Sequence, residues 1–424
     1  MSTGRTEPPR RRGPIAAALS AVLVLGALTS CTPSEVLQEV TPEADPAVVA
    51  SEQVRELLRR RSGAVRDGDL STFLRDVSTD RARFERRQRR YFHNLRELPL
   101  GRFRHRLGGA PRLGPDGRVE VVVSTRMQLA GFDRHPVTTP ALFTFAPDGD
   151  GGLVLTSDRD AGFNRQRDIE PAPWDITRIE VQRGDGVLGV FDTGSVGASE
   201  QIIDAVEDGI AAVGSAVPLE WDRKVVLYAL SDIRVLAELD NLPGGDPDRL
   251  DGVTFPVRGG PDGDRLAGTR FMLHPRMVDR NDDVRDRLIR HELTHVALGS
   301  RDDRVPTWLS EGLAEYVSVR PVPEFERRIS RDAVAAARAG VVRLPAGSSF
   351  NGPKSGANYG IAWYACEHVA DAYGEPALWR LLDAMRAGSG TRESDQGAVL
   401  REVIGVRGTD LAGAAGAKIL ATFG

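Results

Sequence analysis

The stretch Arg290-His291-Glu292-Leu293-Thr294-His295 decides how this chain is read. It lies inside Val284–Leu298, where Leu288, Ile289, Leu293, Val296 and Leu298 give the apolar spacing of a helix and Gly299 supplies a stop. Residues four apart on a helix lie one above the other. His291 and His295 therefore aim two imidazoles at one metal ion, and Glu292 stands beside them to accept a proton from water activated there. A catalytic zinc needs a third protein ligand and an open position. The expected supplier is Trp308-Leu309-Ser310-Glu311-Gly312-Leu313-Ala314-Glu315-Tyr316, a second helix-like stretch just after Pro306. Glu311 would ligate; Glu315, one turn on, would hold the free N–H of a histidine. With only 7 histidines in 424 residues, a chance H-E-x-x-H is rare. The bland alternative is two surface histidines flanking an ordinary helical glutamate.

Outward from this motif, 41% apolar and 27% charged residues over 424 positions are ordinary globular composition and predict two or three domains. A formal net charge of −4 gives no argument for nucleic acid. Residues 1–30 read as a leader: Arg5 and Arg10–Arg12 are cationic, and Ile15–Leu28 is apolar but shorter than the roughly 20 residues of a membrane span. Leu28-Thr29-Ser30-Cys31 resembles a bacterial lipobox. That resemblance implies cleavage before Cys31, lipidation of its thiol, and anchoring to the outer face of the cytoplasmic membrane. A plain cleaved signal peptide is the alternative, and either predicts export. Cys31 and Cys366 are the only cysteines, so a lipidated Cys31 leaves no disulfide partner. Cys366 reads as a small buried hydrophobe.

Residues 31–50 read as a flexible tether and 51–160 as a small α+β domain. Val54, Leu57, Leu58 and Val65 predict a helix, Asp67-Gly68-Asp69-Leu70 a turn into a second, and the basic run Arg81–Arg106 a further helical face with Tyr91, Phe92 and Leu95 inward. Strands are expected at Val119–Thr125, Ala141–Phe145 and Leu153–Ser157. Asp148–Gly152 reads as a hairpin turn, since Arg159 stands where a calcium loop needs its glutamate. The helix-Asp-Gly-Asp-helix opening followed by strands is similar to the cone-shaped NTF2-like domains. No catalytic residue is carried over from that similarity.

Residues 161–180, with Pro171-Ala172-Pro173-Trp174, read as the linker. Over 181–424 the expected elements begin with a hairpin from Ile179 to Phe191, a helix Ala198–Val213, a buried strand Lys224–Leu230 and a helix from Ser231 through Leu239. A strand Val253–Val257 follows. Thr269–His274 is expected as a strand forming the lip of a cleft, with His274 a polar strand end. Beyond the two motif helices, further helices are expected at Phe325–Gly340, Ile361–Tyr373, Ala377–Met385, Val399–Ile404 and Thr409–Phe423.

The order of strand, H-E-x-x-H helix, W-L-x-E-G-x-A-E helix and trailing helices resembles the gluzincin zinc metallopeptidases, most of all the compact peptidase MA-like group, over roughly residues 180–424. The resemblance implies one Zn2+ held by His291, His295 and Glu311, Glu292 as general base, and Glu315 behind a ligand. Relatives also place a tyrosine or histidine to donate to the oxyanion, and Tyr359 is the candidate, with a core tyrosine the alternative. Val296-Ala297-Leu298-Gly299 lacks the third histidine of a metzincin. The expectation is therefore a membrane-anchored peptidase acting on a peptide or protein substrate. Two other readings stay open: a catalytically silent peptidase fold serving as a binding lipoprotein of the cell envelope, and a front domain that captures a small ligand or lipid.

Overall fold

Helix α1 (Pro46–Asp67) starts earlier than expected, inside the tether, because Asp45 accepts from the Ala47 amide and Pro46 occupies the first turn. Gly68 ends it in the left-handed region at φ 73°. The computed structural model describes residues 45–237, 246–260, 263–388 and 393–424. The leader, Cys31, most of the tether and the end of the helix expected through Leu239 lie outside the described residues.

Asp69 caps α2 (Leu70–Leu74) through the Thr72 amide, and α3 (Ala82–Glu97) follows with Phe84, Gln88, Phe92 and Leu95 buried along one face. The basic run does not stay helical to Arg106. Pro99 stops the helix at Leu98, whose backbone is extended, and Leu100–Leu107 is strand β1. There Phe103 and His105 point inward while Arg102, Arg104 and Arg106 face solvent. β2 (Arg112–Leu113), β3 (Val119–Leu129), β4 (Val137–Pro147) and β5 (Leu153–Ser157) complete an antiparallel front sheet ordered β1-β3-β4-β5, with β2 on β3.

The expected linker carries two short helices, α4 (Ala161–Gln166) and α5 (Pro173–Ile176), and is pinned rather than loose. Asn94 of α3 donates to the carbonyls of Trp174 (2.8 Å) and Thr177 (2.7 Å) and accepts from the Ile179 amide (3.1 Å). Trp174 is buried edge-on against Tyr228.

The second sheet runs β6 (Ile179–Gly184), β7 (Val187–Asp192), β8 (Val225–Ala229), β10 (Arg265–Leu273) and β9 (Gly252–Gly259), in that spatial order. β7, β8 and β10 are parallel; β6 and β9 are antiparallel borders. Helix α6 (Ser199–Ala216) makes the crossover from β7 to β8, and α7 (Arg234–Ala237) follows β8. β10 is therefore an interior strand, with both edges paired, and cannot be the lip of a cleft; β9 takes that place.

Both faces of this sheet are buried. Val225, Leu227 and Ala229 of β8 pack with α6 and the later helices, whereas Val226 and Tyr228 join a core that contains Phe73, Phe92 and Phe103 of the front lobe. That double burial is why β8 reads as an unbroken apolar run. From Asp45 to Gly424 the chain is one compact unit.

The helices after β10 are α8 (Pro275–Val278), α9 (Asp283–Leu298), α10 (Thr307–Ser318), α11 (Arg331–Ala339), α12 (Ser355–Tyr373), α13 (Glu375–Ala387), α14 (Glu393–Ile404) and α15 (Gly408–Phe423). α11 starts at Arg331 rather than Phe325, because Glu324–Glu326 makes only a single 3-10 turn ended by an extended Arg327, and Ser330 caps the Asp332 amide. α12 starts earlier than expected, which puts Tyr359 inside its first turns. The architecture is α+β.

Candidate metal centre

Asp282 caps α9 by accepting from the Val284 and Arg285 amides, and Gly299 turns the chain out at φ 54°. Ile289 and Leu293 press on α6 where Gly209 permits close approach: a Cβ there would lie 2.7 Å from Leu293 Cδ1. The other face of α9 carries His291, Glu292 and His295. In α10, Leu309, Leu313 and Val317 are buried, and Gly312 lies so close to α12 that a Cβ would meet the Ala362 carbonyl at 2.5 Å. Glu311 and Glu315 are thereby turned toward α9.

His291 Nε2 and His295 Nε2 are 3.4 Å apart, and Glu311 Oε2 lies 3.2 Å from the first and 3.6 Å from the second. Tetrahedral ligands at about 2.0–2.1 Å from zinc would be separated by roughly 3.3–3.4 Å. Glu311 Oε2 is buried without a hydrogen-bond partner, and the three ligand atoms converge on a shared point. The trio can hold a metal ion.

Each imidazole has a carboxylate behind it. Glu315 Oε1 lies 3.2 Å from His291 Nδ1, and its other oxygen, Oε2, is paired with Arg287. Asp302 Oδ2 lies 2.8 Å from His295 Nδ1. Asp302 escaped the sequence reading; its signal was an acid in the short link between the motif helices. Without metal, burial works to depress His291, but Glu311 and Glu315 outweigh it and raise the imidazole to about 9. His295 is also raised well above its ordinary value: burial again opposes, and Asp302 and Glu311 prevail. Glu315 is also opposed by burial, yet Arg287 and His291 hold it down at about 2.

Glu292 lies buried beside the trio, where desolvation pushes its carboxyl up. Thr254 of β9 donates to its Oε2 at 2.5 Å, and Gly252 exposes bare backbone: a Cβ there would sit 3.0 Å from Oε1. Tyr359 lies with its ring centroid 6.1 Å from that of His291, its hydroxyl donating to Asn351 at 3.1 Å. Burial and then the charges of Glu311, Glu315 and Glu292 hold its phenol well above the usual range, so it stays a proton-bearing donor.

A cleft of about 580 Å³ opens over the trio, lined by β9, Glu292 and Tyr359, and also by Arg134 and His135 from the β3–β4 turn of the front lobe. That turn is built in: the Arg134 amide donates to Ala267 O (2.7 Å), the Gly260 amide to Pro136 O (3.0 Å), and Asp133 pairs with buried Arg270 of β10. A second cavity of about 350 Å³ flanks His291, Glu292 and Tyr359 from the other side, with Met277, Leu288 and Ile329 in its walls.

The remaining candidates fall elsewhere. His274 caps α8, its Nδ1 accepting from the Arg276 amide at 3.1 Å. Cys366 is buried in α12, and burial pushes its thiol up. Asp148 closes the β4–β5 turn by accepting from the Asp150 and Gly152 amides. Among the described residues, no helix is long and apolar enough to cross a membrane. No family model matches the chain, and no curated protein matches it.

Proposed function

We propose that this chain is a zinc-dependent peptidase, exported and lipid-anchored through Cys31, that hydrolyses peptide bonds of a peptide or protein substrate. The observation that carries the reading is the buried glutamate beside a metal-competent trio. A metal site used only for binding or stability has no need of Glu292 in that place.

His291, His295 and Glu311 would hold the zinc, with Glu315 and Asp302 fixing the two imidazoles. When bound, zinc supplies Lewis acidity: it polarises a carbonyl and makes water acidic enough to release a proton near neutral pH. Thr254 occupies one oxygen of Glu292 and leaves Oε1 to take that proton and deliver it to the departing amine. Tyr359, kept protonated, donates to the developing oxyanion. β9 is the border strand on the cleft side, so an extended substrate pairs along it, with Arg134 and His135 lining the cleft beside the end of that strand. The 51–160 segment, whatever its relation to NTF2-like domains, is on this reading part of the substrate cleft.

The test is zinc content and cleavage of a mixed-peptide pool by wild type and Glu292→Gln. One zinc per chain in both, with cleavage only in wild type, is expected. His291→Ala and Glu311→Ala should lose the zinc itself. Zinc without cleavage in wild type would favour a catalytically silent binding protein, and equal turnover in Glu292→Gln would remove the proposed base.

A further inference from the structure

A cavity of about 390 Å³ lies between the two sheets and includes none of the metal trio in its lining. Its size is within the roughly 300–1,000 Å³ typical of small-molecule sites. Tyr91, Phe143, Trp174, Tyr228 and Phe255 give it aromatic walls, drawn from both lobes.

One charged group on this lining is unusual. Arg61 is 1% exposed, with its guanidinium 3.9 Å from the Phe73 ring centroid. It donates to the Phe73 carbonyl (2.9 Å) and to Gln88 Oε1 (2.6 Å), and has no salt-bridge partner among the described residues. Its Nε lacks a hydrogen-bond partner altogether. Gln88 passes on to Asp158, but Asp158 is already paired with Arg87. Arg159, on the same lining, spends a donor on the backbone carbonyl of Asp175. Asp133, Glu170 and Asp175 are the other carboxylates on this lining; Asp133 is paired with Arg270, and the Asp175 carboxylate accepts from the Ala172 amide.

A second buried group lacks a partner there. His105 is 4% exposed; its Nδ1 meets Thr125 Oγ1 at 2.9 Å and its Nε2 meets nothing. Desolvation lowers Arg61 to about 10 and His105 to about 3, and Arg90 nearby is depressed by burial and then by the like charges of Arg159 and Arg87. Arg61 Nε and His105 Nε2 are thus two buried, unpartnered nitrogens on one lining that also carries the aromatic walls. A buried guanidinium with no direct salt bridge, its nearest carboxylate Asp158 reached only through Gln88, is costly, and a carboxylate brought to it forms a charge-assisted contact stronger than a neutral one.

We propose that this cavity binds a small amphipathic monocarboxylate, its apolar body against the aromatic walls and its carboxylate toward Arg61. The proposal is independent of peptidase activity.

Titration calorimetry of the purified chain with dodecanoate and with naphthoate, beside the matching alcohols, tests it. One molecule of an acid should bind per chain, and its alcohol should bind about tenfold more weakly or worse. An acyl or an aryl preference then follows from which acid binds. Ala141→Trp, which fills the space without altering Arg61 or the metal trio, should abolish binding and leave zinc content unchanged. Arg61→Gln should erase the preference for acid over alcohol. The proposal is overturned if neither acid binds, if acid and alcohol bind alike, or if Ala141→Trp binds as wild type does. Should Arg61→Gln fail to fold, the acid–alcohol comparison and Ala141→Trp still decide.

Discussion

Asp302 and Glu315 set the orientation of the two imidazoles, and each should be felt in metal affinity. Asp302→Ala removes the carboxylate 2.8 Å from His295 Nδ1. Loss of such a partner typically costs 10–100-fold in affinity, so zinc competition titration should show about that loss with the fold intact. The titration of His291 gives a second prediction. Its folded value of about 9 lies above the ordinary 6.5, so the metal-free fold favours the charged ring. That contribution is full below about 6.5 and disappears as pH rises toward 9. Glu315, held near 2 against an ordinary 4.5, contributes above 4.5 and stops contributing as pH falls toward 2. Denaturation of the metal-free chain should therefore show its stability decline from pH 6.5 to 9. Zinc binding must expel the proton, so zinc affinity should rise across that same interval. A flat profile in both measurements would contradict the charged cluster.

Helices and strands carry a different set of constraints. α10 reaches the metal face only because Gly312 lets it lie against α12, where a Cβ would meet the Ala362 carbonyl at 2.5 Å. Gly312→Ala should destabilise the fold by about 1–3 kcal/mol through overpacking, measurable by denaturant titration, and weaken zinc binding by displacing Glu311. The motif helices were legible in the sequence because capping, apolar spacing and stop signals agree within a few residues of each other. β1 was hidden by charge: Arg102-Phe103-Arg104-His105-Arg106 alternates like a strand, but the flanking arginines extend the look of α3 past Pro99. β10 is legible as a strand, but its interior place between β8 and β9 is not. Its own residues carry no record of which neighbours pair with its edges.

At the scale of the whole molecule, the two lobes share one core and one buried ion pair. Arg270 and Asp133 have side chains only 3% and 2% exposed, and they join the interior strand of the second sheet to the β3–β4 turn. Asp133→Ala leaves a buried guanidinium uncompensated and should cost about 3–5 kcal/mol. Asp133→Leu combined with Arg270→Met should recover much of that loss, which a double-mutant cycle would measure. Because Phe73, Phe92 and Phe103 pack in the same core as Tyr228 and Met272, residues 45–424 should unfold in a single transition by calorimetry. Two separated transitions would show that the lobes are independent.

The sequence by itself determined the metal-competent trio, the glutamate beside it and the α+β class, since each rests on local spacing along one or two helices. Tertiary structure alone decided that Asp302 stands behind His295, that β9 rather than β10 borders the cleft, and that Arg134 and His135 complete its wall. It also placed Arg61 on a cavity between the sheets. These are meetings of residues far apart in the chain, made by strand pairing and the burial of both sheet faces, and no local pattern encodes them.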